Sequence, residues 1–150
     1  MDQDRLYVAG HSAGGHLVAM LMCALWPVFD RELPKDLWKG GLAISGLYDL
    51  RPLVDVDWLN GDLRLDPAGA LKLSPAFMSP ATRAPVMTCV GGDESSEFHR
   101  QNALLGERWR AACAGDIAMP GRHHFSVIDG LAEQKSALFA GARRLMKLDQ

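Results

Sequence analysis

The sequence has no long hydrophobic run and little excess charge of either sign. Its longest apolar stretch, from Leu17 to Leu25, is about half as long as a bilayer-spanning helix requires, so we expect no membrane segment. Sixteen Lys and Arg residues against eighteen Asp and Glu residues give a net charge of -2. This balance argues against an electrostatic nucleic-acid binder. The N-terminus lacks the basic-then-apolar pattern of a secretory signal, which indicates a cytoplasmic protein.

Cysteine is scarce, with only Cys23, Cys89 and Cys113 present. Their odd number and wide spacing suit neither a disulfide framework nor a zinc site, and we interpret them as reduced core residues. The histidines lack HExxH or any comparable ligand spacing, so no metal site is predicted. The 150 residues, 48% of them hydrophobic, are typical of one globular domain over 1–150.

Short apolar runs alternate with helical patterns along the chain. Strands are predicted over 6–9, 42–45, 85–90 and 116–119, and helices over 16–26, 96–112 and 129–147. Residues 53–80 contain several Pro and Gly residues, which predict short helical turns rather than one long element. Strands separated by helices form βαβ units, so the fold class is α/β, with a parallel sheet and helices on both faces. In such sheets ligands bind at the carboxyl ends of the strands.

The turn after the first strand carries the sequence Gly10-His11-Ser12-Ala13-Gly14. It matches G-x-S-x-G, in which a serine lies on a sharp strand-to-helix turn with its hydroxyl exposed above the sheet. A Cβ at either flanking glycine, Gly10 or Gly14, is expected to clash where strand and helix approach. The N-terminus of the following helix places a positive dipole end at Ser12.

Two other interpretations of this turn remain open. One is a turn of small residues that only lets strand and helix pack. The other is a dinucleotide cradle in which Asp30, twenty residues after Gly10, binds a ribose. Pro27 argues against the cradle, because it lies inside the strand that this motif requires before Asp30.

A serine nucleophile needs a base within hydrogen-bond reach and an acid that orients the base. In folds with this elbow the order along the chain is Ser, Asp, His. Asp93 directly follows the strand that ends at Val90, which makes it the candidate acid. Glu94 is the local alternative.

Two adjacent histidines, His123 and His124, follow the last predicted strand, and one of them is the candidate base. The other histidines are less suited to this role. His11 lies within the elbow itself, and His16 and His99 lie on predicted helices.

Beyond the elbow, the chain contains Ser45-Gly46-Leu47-Tyr48-Asp49-Leu50, Ser74-Pro75, Glu97-Phe98-His99-Arg100-Gln101 and His124-Phe125. Together with the elbow residues 10–17, these segments resemble the arylformamidase (kynurenine formamidase) family of the α/β-hydrolase superfamily. The elbow is shared with many esterases. The segments that begin at Ser45 and at Glu97 are more specific to this family.

The resemblance implies hydrolysis of N-formylkynurenine, a small-molecule substrate, to kynurenine and formate in tryptophan breakdown, with no cofactor. Carried over by motif, Ser12 is the nucleophile, Asp93 the triad acid and His124 the base. The backbone N–H of Ala13 supplies one oxyanion-hole donor. Tyr48, on a loop after a strand, is expected to line the pocket for the aromatic substrate.

Members of this family place several strands and a His-Gly-Gly loop, which donates a second oxyanion N–H, ahead of the elbow. The resemblance therefore implies the C-terminal part of an α/β-hydrolase fold with its front strands missing. The strand over 6–9 would then present a hydrophobic sheet edge, which we expect a second copy or a partner chain to cover. Two alternatives stay open: a carboxylesterase with the same triad, and a non-catalytic fragment or interaction module.

Overall fold

A computed structural model describes residues 2–148 of the chain. Its strands are β1 (Tyr7–His11), β2 (Gly40–Ile44), β3 (Val86–Gly91) and β4 (Cys113–Met119). They form one sheet in the order β1-β2-β3-β4, and every neighbouring pair is parallel. All four predicted strands are present, although β4 begins three residues earlier than predicted.

Six α-helices accompany the sheet within the described residues: α1 (Ala13–Cys23), α2 (Trp26–Phe29), α3 (Asp57–Leu63), α4 (Pro67–Lys72), α5 (Ser96–Arg108) and α6 (Ala137–Leu145). Short 3-10 turns lie at Gln3–Arg5, Arg51–Asp55, Pro75–Phe77 and Val127–Leu131. The region 53–80 thus consists of short helical pieces, as predicted. None of the helices in the described part of the chain is long and apolar enough to cross a membrane.

Two helices end or begin at positions other than those predicted, one near Pro27 and the other at a capping serine. The first helix stops at Cys23, and Pro27 lies in the first turn of the separate helix α2, where its missing N–H costs nothing. The segment 129–147, predicted as one helix, divides because Ser136 caps a new helix by accepting a hydrogen bond from the Phe139 N–H.

Side chains from the two faces of the sheet enter separate cores, because successive residues of a strand point in opposite directions. In β2, Ala43 faces the core formed with α1 and α5, whereas Leu42 and Ile44 face the core formed with α6. The residues that these helices contribute are Val18, Ala19, Met22 and Leu105 on one face, and Leu138 and Leu145 on the other. The predicted parallel α/β sheet with helices on both faces is therefore confirmed.

The register of the sheet brings the carboxyl ends of all four strands to one edge. His11 pairs with Ile44, Ile44 with Cys89, and Gly91 with Met119. The loops that leave the four strands consequently meet above the same end of the sheet. This is where a parallel sheet binds ligands.

Candidate active site

Ser12 lies at the junction of β1 and α1 in a backbone conformation that few non-glycine residues adopt, with φ 57° and ψ -118°. Its backbone N–H donates to the Ile44 carbonyl at 2.9 Å. Such strain persists where the surrounding structure fixes the chain on both sides, and it is concentrated at functional sites. Ala13 follows as the first residue of α1, so its N–H has no acceptor within the helix.

Close packing around this elbow explains two of its glycines. A Cβ at Gly10 would lie 2.2 Å from the Gly14 carbonyl oxygen, and one at Gly15 would lie 2.8 Å from the Gly46 Cα. A Cβ at Gly14 would meet nothing within 4 Å. The clash expected at Gly14 therefore occurs one residue later, where α1 passes over the end of β2.

The structure brings Ser12 and His124 together from opposite ends of the chain. The Ser12 hydroxyl oxygen lies 3.0 Å from His124 Nε2, and His124 Nδ1 lies 2.7 Å from Glu94 Oε2. Ser12 follows β1, Glu94 follows β3 and His124 follows β4. A hydroxyl, an imidazole and a carboxylate in this order can pass a proton from the hydroxyl to the ring while the carboxylate stabilises the resulting imidazolium.

The carboxylate beside His124 belongs to Glu94, which corrects the expectation for Asp93. Residues 91–94 turn tightly, since the Glu94 N–H donates to the Gly91 carbonyl at 3.1 Å. Asp93 occupies the outer corner of this turn: its N–H donates to the Arg122 carbonyl at 3.0 Å, and the residue is exposed. The chain order of nucleophile, acid and base is as expected, but the acid is one residue further along.

Glu94 is charged at neutral pH despite its burial. Its side chain is 0% exposed, and burial by itself raises the pKa of a carboxyl group. Hydrogen bonds from the Ser45 hydroxyl, the Gly91 N–H and His124 outweigh this effect and hold the pKa of Glu94 below its usual value. The imidazole of His124 therefore faces a buried carboxylate that also accepts hydrogen bonds from Ser45 and Gly91.

Two other histidines hold the loop around His124. His11 Nε2 lies 2.7 Å from the His124 carbonyl oxygen and donates to it, and the two rings are 4.6 Å apart. His123 is exposed, and its Nδ1 accepts from the backbone N–H groups of Phe125 and Ser126. Of the two histidines left open by the sequence, His124 therefore faces Ser12, and His123 stabilises the turn.

Aromatic side chains flank the His124 ring. Phe98, on α5, lies 4.3 Å from it between ring centroids, and Phe125 lies 5.4 Å away in a T-shaped arrangement with an interplanar angle of 79°. Phe125 is 77% exposed, so it offers an open apolar surface beside the imidazole. Sequence reasoning missed Phe98 as a site residue. Phe98 lies in the first turn of α5, and its contact with His124 depends on how α5 packs beside the loop that follows β4.

Tyr48, expected to line the substrate pocket, lies in the core instead. Its side chain is 0% exposed and packs in the cluster that contains Val18, Met22 and Leu105. Burial raises the pKa of its hydroxyl. The loop position of Tyr48 in the sequence suggested exposure, but the loop folds back under α5.

The two segments most specific to the sequence resemblance bind each other. Gln101, 1% exposed, accepts at 2.8 Å from the N–H groups of both Tyr48 and Asp49, and its amide donates to the Asp49 carbonyl. The Asp49 carboxylate pairs with Arg51 and Arg100, which lowers its pKa. These contacts fix the loop after β2 against the start of α5, next to Ser45 and Glu94.

Other reactive groups in the described structure are not arranged for catalysis. The three cysteines are free, and burial raises the pKa of Cys23 to about 11 and is the main cause that raises that of Cys89 to about 12. The thiols of Cys23 and Cys89 are thus protonated at neutral pH and poorly nucleophilic. Among residues 2–148, no three His, Cys, Asp or Glu side chains are grouped so that they could hold a metal ion.

The parallel sheet with helices on both faces, together with the strained elbow after β1, gives the chain an α/β-hydrolase fold. A protein from a Silicibacter species, assigned as a thioesterase, has a similar structure with TM-score 0.75 and 37% identity, over 88% of this chain and 48% of that chain. A thermostable carboxylesterase from a metagenomic library shares the fold with TM-score 0.64 at 20% identity, over 98% of this chain and 56% of that chain.

The sequence is similar to curated kynurenine formamidases. It is 31% identical over 143 residues to the kynurenine formamidase of Danio rerio, which confirms the resemblance seen in the motifs. The match covers 89% of this chain but 46% of that protein, so the chain spans about half the length of the curated relatives it matches. No family model matches the sequence.

Proposed function

We propose that this chain carries the nucleophile, base and acid of a serine hydrolase that cleaves N-formylkynurenine to kynurenine and formate. The observation that carries the proposal is the continuous contact from Ser12 through His124 to Glu94. The name of the 31% identical relative supports the formamide as substrate. Neither step below requires a metal or an organic cofactor.

In the first step, Ser12 Oγ attacks the formyl carbon while His124 Nε2 takes its proton. Glu94 holds the imidazole with its proton on Nδ1 and stabilises the imidazolium. The carbonyl oxygen becomes an oxyanion, which the N–H of Ala13 faces at the positive end of α1. The C–N bond then breaks, and His124 returns the proton to the departing aryl amine.

In the second step, water hydrolyses the formyl-serine that remains. His124 removes a proton from the water as its oxygen attacks the formyl carbon. A second tetrahedral oxyanion forms and collapses, which expels the Ser12 oxygen with the proton held by His124. Formate leaves, and the hydroxyl of Ser12 is restored.

The aromatic rings at His124 support an aryl leaving group. The departing amine must lie next to His124, which protonates it. Phe98 and Phe125 both contact the His124 ring, so they are near the leaving group. Aromatic pairs are stabilised by roughly 0.5–1.5 kcal/mol beyond their area burial. We therefore assign the aryl contact to these two residues rather than to Tyr48.

Ester hydrolysis is the second candidate function. A structure that is 37% identical over most of the chain is assigned as a thioesterase, and the same three residues would attack an ester carbonyl by the same steps. A carboxylesterase or thioesterase would need no aryl contact at Phe125.

Comparing three substrates tests this proposal on the purified chain. N-formylkynurenine is expected to give a kcat/KM at least equal to that for p-nitrophenyl acetate, although the ester is intrinsically more reactive. Hydrolysis of p-nitrophenyl acetate or of an acetyl thioester without the formamide would favour an esterase. No hydrolysis by a folded sample would favour a non-catalytic fragment.

We also propose that β1 does not remain an open edge in solution. The described strands pair with β1 on one side only, which leaves backbone N–H and C=O groups available to another strand. A second copy or a partner chain that supplies a strand would satisfy them. Light scattering coupled to size exclusion is expected to give a mass above 16.4 kDa. A constant monomer mass across a hundred-fold range of concentration would contradict self-association.

A further inference from the structure

The two oxygens of the Glu94 carboxylate have separate partners. Oε2 lies 2.7 Å from His124 Nδ1, whereas Oε1 accepts from the Ser45 hydroxyl at 2.5 Å and from the Gly91 N–H at 2.8 Å. A carboxylate can rotate about its last torsion, which is broad and has two equivalent positions. The two donors at Oε1 fix that rotation, so that Oε2 faces the imidazole.

Ser45 itself is held firmly at the end of β2. It is 1% exposed, and its backbone N–H donates to the Cys89 carbonyl at 2.7 Å. Its φ of 48° is one that L residues rarely adopt. A glycine would adopt this φ without strain but could not supply the hydroxyl that reaches Glu94.

We infer that Ser45 is a positioning residue, whose hydroxyl orients the Glu94 carboxylate toward His124 and so fixes the imidazole for proton transfer from Ser12. This inference rests on the proposed function, because it concerns the same site. Charge-assisted hydrogen bonds of this kind are roughly twice as strong as neutral ones. The segments that follow the strands β1 to β4 thus each contribute one residue to a hydrogen-bonded series: Ser12, Ser45, Glu94 and His124.

The substitution Ser45→Gly tests this inference, because it removes the hydroxyl while relieving the backbone strain. We expect kcat for N-formylkynurenine to fall about ten-fold, the size of one hydrogen bond to a charged group, with KM unchanged. The pKa of Glu94, followed by carboxyl-carbon NMR, should rise, because a donor to its charged form is lost. The proton resonance of His124 Nδ1 should move upfield as its bond to Glu94 weakens.

Thr88→Val is the matched control. Thr88 is also 1% exposed and its hydroxyl donates to a carboxylate, that of Asp116, at 3.0 Å. This variant is expected to leave kcat, the pKa of Glu94 and the His124 resonance unchanged. Ser45→Ala repeats the loss of the hydroxyl while keeping a Cβ, so agreement between the two Ser45 variants excludes an effect of backbone relaxation.

The NMR readouts need no turnover and can be repeated in the Ser12→Ala background. If the wild-type chain hydrolyses none of the substrates, the proposed function fails while the resonances of Glu94 and His124 still report on Ser45. An unchanged His124 Nδ1 resonance and an unchanged pKa of Glu94 in both Ser45 variants would overturn the inference.

Discussion

Replacing Ser12 with alanine is expected to reduce kcat for N-formylkynurenine by about 10⁴-fold or more, the effect of removing a serine nucleophile from a triad. The Ser12 oxygen, 3.0 Å from His124 Nε2, is the atom proposed to bond to the formyl carbon. Alanine has the same Cβ as serine, so the backbone at φ 57° is equally strained in both. The melting temperature should therefore stay close to that of the wild type.

A fluorophosphonate probe tests whether Ser12 is a reactive nucleophile without requiring turnover of a substrate. The Ser12 oxygen would displace fluoride from phosphorus, with its proton passing to His124, and the modified chain would be detected by mass spectrometry. Ser95→Ala is the control, because Ser95 is exposed and its side chain makes no capping hydrogen bond. Undiminished labelling or hydrolysis in Ser12→Ala would contradict the assignment of Ser12 as nucleophile.

Glu94→Gln is expected to lower kcat by about 10⁴-fold, the loss seen when a triad carboxylate becomes an amide. The reason lies in the partners of the carboxylate. Because Ser45 and Gly91 both donate to the Oε1 position, the oxygen of the glutamine amide would occupy it. The NH₂ group would then face His124 Nδ1 and force the proton of the ring onto Nε2. A protonated Nε2 could not accept the proton of Ser12.

Asp93→Asn is the matched control for Glu94→Gln. It makes the same change from carboxylate to amide one residue earlier, on an exposed side chain. We expect its kcat to remain within about two-fold of the wild type, since surface substitutions away from the site have small effects. Full loss of activity in Asp93→Asn with retention in Glu94→Gln would restore the acid expected from the sequence.

Local patterns in the sequence were sufficient to predict most of the secondary structure. The alternation of short apolar runs with helical segments predicts the four strands, because a run buried on both faces of a parallel sheet needs apolar residues on both faces. Helix ends were less predictable. The break between Val127–Leu131 and α6 depends on the cap at Ser136, whose neighbours continue a helical pattern on either side.

The role proposed for Ser12 could be read from the elbow motif. That of His124 came from the family resemblance of the segment His124-Phe125, because residue patterns alone left His123 open as well. The burial of Tyr48 could not be predicted from the sequence. It depends on Gln101, more than fifty residues away, whose side chain accepts hydrogen bonds from the Tyr48 and Asp49 N–H groups. Phe98 and Ser45 reach the site only through the register of the parallel strands.

The sequence by itself determined the α/β class and the elbow at Ser12, because both arise from contacts between residues close together in the chain. Only the tertiary structure decided which carboxylate meets His124. Asp93 and Glu94 are adjacent and both follow β3, so no local pattern separates them. The loop after β4 makes the choice: the Arg122 carbonyl binds the Asp93 N–H at the outer corner of the turn, which directs the Glu94 side chain inward to Ser45 and His124.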